Sequence, residues 1–359
     1  MTSRQLPSRQ LPTPHTPKRH LVTIGSAVAL PVRRVAFIAA AVVTVLIVVA
    51  AVATLSIGRI GIPVADLVPA ITGHGQGTDT FVMNRLRGPR LVVGIGTGAA
   101  LGLSGALFQS VTRNPLGSPD VIGLASGAGA GAAAVALFLP DTVPASLGAL
   151  AGAVLAMALV YVSTGTGFRN PGRLVVAGIG TAAMATAVTQ YVVYAVERDK
   201  ATALTAYVNG SLAARDWGHA TTIWLVLLVT VPLTVLIARR LEIGEMGDDL
   251  AQGLGSAPRA TKTFAVILSI VLSAGAVSVA GPIAFIALTA PQIAKRITRG
   301  TGPHLTLSTL VGALLLTLAD LCSQQLPLFD DLPVGIYTMA LGGVYLGYLL
   351  IHEWRQGIL

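Results

Sequence analysis

Two adjacent carboxylates, Asp248 and Asp249, stand in the phrase "GDDLAQGLG" between two long apolar runs. Carboxylates in a first helical turn accept its unpaired N–H groups and meet the positive end of its dipole. Leu250 and Leu254, four residues apart and flanking Ala251, give such a helix one apolar edge, and Gly247 and Gly255 bound it. The product is a helix of about seven residues, roughly 10 Å long at 1.5 Å per residue, too short to be stable alone. It makes sense if it docks on another surface; a solvated loop at lipid headgroups is the alternative.

Three arginines, Arg85, Arg87 and Arg90, crowd the phrase "RLRGPR". Guanidinium groups hold carboxylates bidentately, which suits docking to an acidic surface, with snorkelling to lipid phosphates as the alternative. Asp320 lies in an otherwise apolar run, where a carboxylate marks a pathway residue or, because Ser323, Gln324 and Gln325 follow, a hydrogen-bonded helix contact. In "RNPLGSPD", Arg113 to Asp120, Pro115 ends one helix and Ser118, Pro119 and Asp120 begin the next, so geometry alone accounts for these residue types. The stretch Gly281 to Ile297 carries Pro282, Pro291 and a basic end, and reads as a short helix broken at both prolines.

Other chemistries find no support. None of the lysines, Lys18, Lys200, Lys262 and Lys295, follows a glycine, which excludes a P-loop. The 6 histidines are scattered without an i, i+4 pair, and Cys322 is the 1 cysteine, so neither a metal site nor an internal disulfide is expected. There is no Gly-x-Ser-x-Gly elbow. No catalytic residue, metal or cofactor is expected.

The elements that position these residues are set by lipid. The chain has 359 residues, 53% hydrophobic and 11% charged, where roughly 25% charged is ordinary for a soluble domain. Continuous apolar runs of about 20 residues favour spanning helices over an alternating barrel. Spans are expected at 35–57, 90–112, 118–138, 146–164, 174–196, 218–238, 263–281, 284–298, 305–325 and 334–352. The fold class is thus an all-α polytopic membrane protein with about ten transmembrane helices. Residues 1–34, basic and rich in Pro, Ser and Thr, are expected to be a disordered cytoplasmic tail, and 35–359 a transmembrane domain with a cytoplasmic loop at 239–262. A signal peptide is the alternative at the start, but the run from Val35 to Ile57 is too long for it.

The +9 net charge follows the membrane rather than nucleic acid. With the N-terminus inside, the basic residues of the tail and of the loops near 113, 169–173, 239–262, 295–299 and 355 far outnumber the outer set, Arg59, Arg85, Arg87, Arg90, Arg198, Lys200 and Arg215. Both termini and "GDDLAQGLG" are then cytoplasmic. Gly94, Gly98 and Gly102, like Gly123, Gly127 and Gly131, recur every four residues and make smooth faces for close helix packing or for a sliding translocation wall.

The phrases "RGPRLVVGIGTGAALGLSGALFQSVTRNPLGSPDVIGLASGA", "GDDLAQGLG", "AGPIAFIALTAPQIAKRI" and "LADLCSQQLP…LPVGIYTMALGGVYLGYLL" together resemble the FecCD family of permeases, from about residue 35 to the end. These serve binding-protein-dependent ABC importers of iron chelates and vitamin B12. "EMGDD", the "ADLC" and "QQL" pair and "LGGVYL" look most like the G-type permease subunit of ferric-enterobactin importers. The resemblance implies a vitamin B12/iron-chelate importer fold, a sister permease subunit in a heterodimer, cytoplasmic ATP-binding subunits that hydrolyse ATP in place of this chain, and an extracytoplasmic siderophore-binding protein. It implies that Gly247 to Gly255 couples to an ATPase and that Arg87 and Arg90 receive acidic residues of the binding protein. Three positions depart from the family pattern: Gly88 for Leu, which would loosen the arginines; Gln292 for His; and Gln324 where many members have Arg. The function implied is import of a ferric siderophore, a catecholate, across the cytoplasmic membrane. Vitamin B12 or haem import and a stand-alone transporter using Asp320 as proton relay are the alternatives.

Overall fold

The structure is a computed structural model and describes residues 19–24, 28–58, 60–139, 142–165, 171–195, 204–205, 207–300, 302–326 and 332–355. Arg4, Arg9, Lys18, Arg59, Arg169, Arg198 and Lys200 of the charge count lie outside them. Before the bundle, Arg19–Ile24 (β1) and Val28–Arg33 (β2) pair antiparallel, Arg19 opposite Arg33. A lone two-stranded ribbon is marginal by itself.

The rest is helical. Besides short helical turns such as Leu67–Ile71 and Gly77–Phe81, the helices in chain order are α1 (Arg34–Ser56), α2 (Arg87–Thr112), α3 (Leu124–Phe138), α4 (Ala145–Ser163), α5 (Pro171–Ala195), α6 (Trp217–Gly244), α7 (Asp248–Gly253), α8 (Pro258–Ala280), α9 (Ile286–Thr298), α10 (Leu305–Gln325) and α11 (Val334–Arg355). Every expected span falls on one of these. Among the described residues 7 helical stretches are long and apolar enough to cross a membrane, with Leu124–Phe138 and Val334–Tyr348 as shorter apolar helices. The 13 residues of α9 rise only about 20 Å, short of the ~30 Å hydrocarbon core.

The core forms around α2, because its residues let other backbones come close. A Cβ on Gly98 would stand 2.4 Å from the Gly312 carbonyl oxygen, and one on Gly102 2.2 Å from that of Ser308, so α2 and α10 meet backbone to backbone. Gly127 and Gly131 meet Gly148 and Gly152 in the same way, joining α3 to α4. Gly94 differs: only the end of the Leu212 side chain is near, at 3.2 Å. Where α2 crosses α8, Ser104 Oγ donates to the Ser269 carbonyl at 2.7 Å and Ser269 Oγ donates back to the Ser104 carbonyl at 2.9 Å. Such reciprocal bonds satisfy hydroxyls that lipid cannot.

The break after α8 has one site, not two. Gly281 turns the chain at φ 74°, with the Tyr207 carbonyl oxygen 2.2 Å from where a Cβ would be, and Phe285 opens α9 at φ 70°. Pro291 lies inside α9 without interrupting it, contrary to the expectation from sequence. A proline there cannot donate to the carbonyl four residues back, that of Ala287. The same carbonyl lies 1.7 Å from a Cβ built on Gly105, so α2 passes close over the site of the missing bond.

Candidate functional site

The arginines at the start of α2 point into the protein. Arg87 is buried, and its Nη1 donates to the carbonyls of Thr54 at 2.7 Å, Leu55 at 3.2 Å and Ile57 at 2.6 Å. A cation on the unpaired carbonyls of a helix C-terminus is favourable, and here it closes α1. Arg90 forks onto Asp320, Nε at 2.9 and 3.1 Å from the two carboxylate oxygens and Nη2 at 2.7 Å, while Gln324 Nε2 donates to the same carboxylate at 2.7 Å. Asp320 is 4% exposed and Arg90 23%. The intramembrane carboxylate is thus a saturated helix contact between α2 and α10. Arg85 is exposed, with no ion pair among the described residues. Gly88 does not loosen this arrangement: a Cβ on it would stand 2.0 Å from the Met83 carbonyl oxygen, so its absence lets the chain close tightly there.

At the opposite end of α2, the amide of Gln292 donates to Gln109 Oε1 and, at 2.9 Å, to the Pro115 carbonyl, while Gln109 donates to the Leu288 carbonyl at 3.0 Å. An amide carries both donor and acceptor, so this buried exchange between α2, α9 and the "RNPLGSPD" turn needs no imidazole.

The short helix α7 begins at Asp248, as its residues demand, and ends at Gly253. Gly247 and Gly255 adopt φ 114° and 77°, which glycine reaches without the Cβ penalty. Ala251 is 0% exposed and faces the bundle, whereas Leu250 and Leu254 are 59% and 65% exposed. The apolar edge therefore points away from the protein. The two carboxylates are separated in role by the fold. Asp249 is exposed and makes no ion pair among the described residues. Asp248 is paired with Arg113 at 2.5 Å and with Lys262 at 2.7 Å. The Lys262 hydrogen bonds, opposed by some desolvation and reinforced by Arg113, hold its carboxyl below the usual carboxylate range. The sequence reading gave Arg113 no chemical part.

A cavity of about 700 Å³ opens between α3 and α5, lined by Ser126, Thr186, Thr189, Gln190, Tyr194 and Asn209 among others. Its polar lining is of hydroxyls and amides, with no charged side chain. Sequence reasoning missed it, although four of those residues lie on α5, the span of lowest mean hydropathy. No group of three metal-ligating side chains occurs among the described residues.

A glycine-packed bundle of apolar helices, ionic fastenings at both ends of its central helix and a cavity lined by apolar groups with a few hydroxyls and amides describe a multi-helix membrane protein of the permease class. Residues 32–352 match the FecCD transport family. The chain is 38% identical over 310 residues to the ferric enterobactin transport system permease protein FepG of Escherichia coli (strain K12), covering 86% of this chain and 94% of that protein. It is 35% identical over 308 residues to the achromobactin transport system permease protein CbrC of Dickeya dadantii (strain 3937), covering 84% and 88%. Against the iron(3+)-hydroxamate import system permease protein FhuG of Bacillus subtilis (strain 168) the figures are 33% over 331 residues, 87% and 96%. In fold it is similar to a metal-chelate type ABC transporter solved in an inward-facing conformation, with TM-score 0.75 at 24% identity, covering 88% of this chain and 99% of that one. The chain belongs to the FecCD transport family.

Proposed function

We propose that this chain is the permease subunit of an ABC importer that carries a ferric siderophore, a catecholate of the enterobactin kind, across the cytoplasmic membrane. The observation that carries the reading is α7, a helix too short to stand alone whose two leucines and Asp249 face outward uncovered. A cytoplasmic ATP-binding subunit is the occupant, which puts both chain termini on that same side and leaves ATP hydrolysis to the partner. The FepG relative supports the catecholate; the achromobactin and hydroxamate relatives are the competing cargoes.

A sister permease is supported by comparing α1 with α5. In both, about a fifth of the window is buried, 17% and 22%, yet α1 has the highest mean hydropathy of the spans and α5 the lowest. Lipid suits the first; a polar cavity and a second permease subunit suit the second. The cavity beside α5 then forms part of the pathway, its uncharged lining suited to the carbonyl and hydroxyl groups of a chelate. The siderophore-binding protein docks at the Arg85 to Arg90 end, where Arg85 is exposed without an ion pair among the described residues and Arg90 is partly exposed beside Asp320. Because Arg90 and Gln324 saturate Asp320, a proton relay there is the weaker reading.

The test is uptake of radio-iron as ferric enterobactin, ferric achromobactin, ferrichrome and ferric citrate by a deletion strain carrying this chain with its partner subunits. Uptake restored for the catecholate chelate is expected. Restoration only for another chelate would replace the cargo, and wild-type uptake by a Leu250→Asp/Leu254→Asp variant present at normal membrane level would remove the coupling reading.

A further inference from the structure

Three helix ends converge on one carboxylate. Arg113, the residue after α2, sits in the left-handed region at φ 49° and aims its guanidinium at Asp248 and at the carbonyl of Gly244, the last residue of α6, 2.7 Å away. Lys262, in the first turns of α8, donates to both Asp248 oxygens at 2.8 and 2.7 Å. Asp248 is therefore turned toward the permease, and its neighbour Asp249 away from it. The three side chains are a third to a half exposed. Ion pairs of that exposure are individually weak and can be broken and remade. This is a poor design for holding a fold together but a serviceable one for a joint.

What lies behind the joint is rigid. Most of α2 is buried and packed on α8, α9 and α10, and its far end is fastened to α1 through Arg87 and to α10 through Arg90 and Asp320. At 1.5 Å per residue the helix reaches about 35 Å from Arg90 in one ionic cluster to Arg113 in the other.

We propose that Asp248 is the anchor of α7 rather than one of its ATPase contacts. Through Arg113 and Lys262 it ties α7 to α2 and α8, so that displacement of α7 is handed to α2 and reaches the Arg90–Asp320 pair as motion of a packed rod. Asp249, Leu250 and Leu254 form the contact face. Asp248, Arg113 and Lys262 are positioning residues, and the assignment rests on the reading of α7 as the coupling helix.

The experiment uses the complete complex, with sister permease, ATPases and binding protein, in proteoliposomes with ferric enterobactin as cargo. It compares Asp248→Asn, Arg113→Gln, Lys262→Gln, Asp249→Asn, Leu250→Asp/Leu254→Asp, Asp248→Arg alone and the exchange Asp248→Arg/Arg113→Asp. Asp248→Asn is expected to keep its ATPase through purification but to transport about 5-fold or more less chelate per ATP hydrolysed, the size of an ordinary coupling between sites. Arg113→Gln and Lys262→Gln lower the same ratio, and the exchange recovers part of what Asp248→Arg alone loses. Asp249→Asn, on the contact face, is expected to weaken ATPase retention. Wild-type transport per ATP in Asp248→Asn overturns the proposal, as does an exchange no better than Asp248→Arg alone; the exchange decides the matter even if Asp248→Asn assembles poorly. Full ATPase retention by Leu250→Asp/Leu254→Asp would instead overturn the coupling-helix reading beneath it.

Discussion

Arg87 and Arg85 lie two residues apart, and their environments decide opposite outcomes for the same substitution. Replacing Arg87 by Ala leaves the carbonyls of Thr54, Leu55 and Ile57 at a buried helix end without their cation. The cost is expected to be about 2–4 kcal/mol, seen as a lower thermal midpoint in detergent and less protein in the membrane. Arg85→Ala, at an exposed position, changes neither and lowers affinity for the binding protein. A wild-type midpoint for Arg87→Ala would return that residue to the docking surface. Asp248 adds a statement about pH. Its carboxyl is held below the usual carboxylate range, chiefly by Lys262. A depressed acid keeps its contribution above the unfolded value, about 3.9, and loses it only as pH falls through the still lower folded value. Transport per ATP is therefore expected to be insensitive to this group between about pH 5 and 8, so a difference between wild type and Asp248→Asn measured in proteoliposomes should be constant across that window. The residue types were legible in the sequence, but their partners were not: Arg90 and Asp320 are separated by 230 positions.

Helix packing gives a sharper contrast among the glycines of α2. Gly98→Ala and Gly102→Ala place a methyl against the backbone of α10, which cannot yield, and each is expected to cost ~2 kcal/mol or more. Gly94→Ala meets only the end of the buried Leu212 side chain, at 3.2 Å, and is expected to cost less than either. Membrane levels and thermal midpoints of the three variants check this; equal behaviour would mean that α2 and α10 do not pack so closely. All three glycines share one period in the sequence, which shows a smooth face without saying what lies against it. Pro291 was misread for a related reason. A proline marks the loss of one hydrogen bond, and whether a helix breaks there depends on what packs around the freed carbonyl, here the glycine face of α2.

For the molecule as a whole, the polar face of α5 separates what this chain does alone from what it does in an assembly. Gln190→Leu and Thr186→Val alter the wall of the cavity without entering the core, since both side chains are exposed. They are expected to leave stability within about 0.5 kcal/mol of wild type, as surface changes do, and so the thermal midpoint nearly unmoved, while lowering uptake of ferric enterobactin. Unaltered uptake would take the cavity out of the pathway.

Composition and the length of the apolar runs determined the membrane class, the helical state and the order of the spans, because a lipid solvent permits so few ways of satisfying the backbone. Local chemistry likewise marked where α7 begins and ends, two early carboxylates bounded by glycines, although a helix this short persists only against the bundle. Only the tertiary structure decided that Asp248 faces inward and Asp249 outward, that Arg87 closes α1, that Asp320 is matched by Arg90, and that α5 lines a cavity. Those facts depend on which distant segments meet, and a guanidinium or a carboxylate is equally at home facing a partner protein or a helix end until the chain has folded.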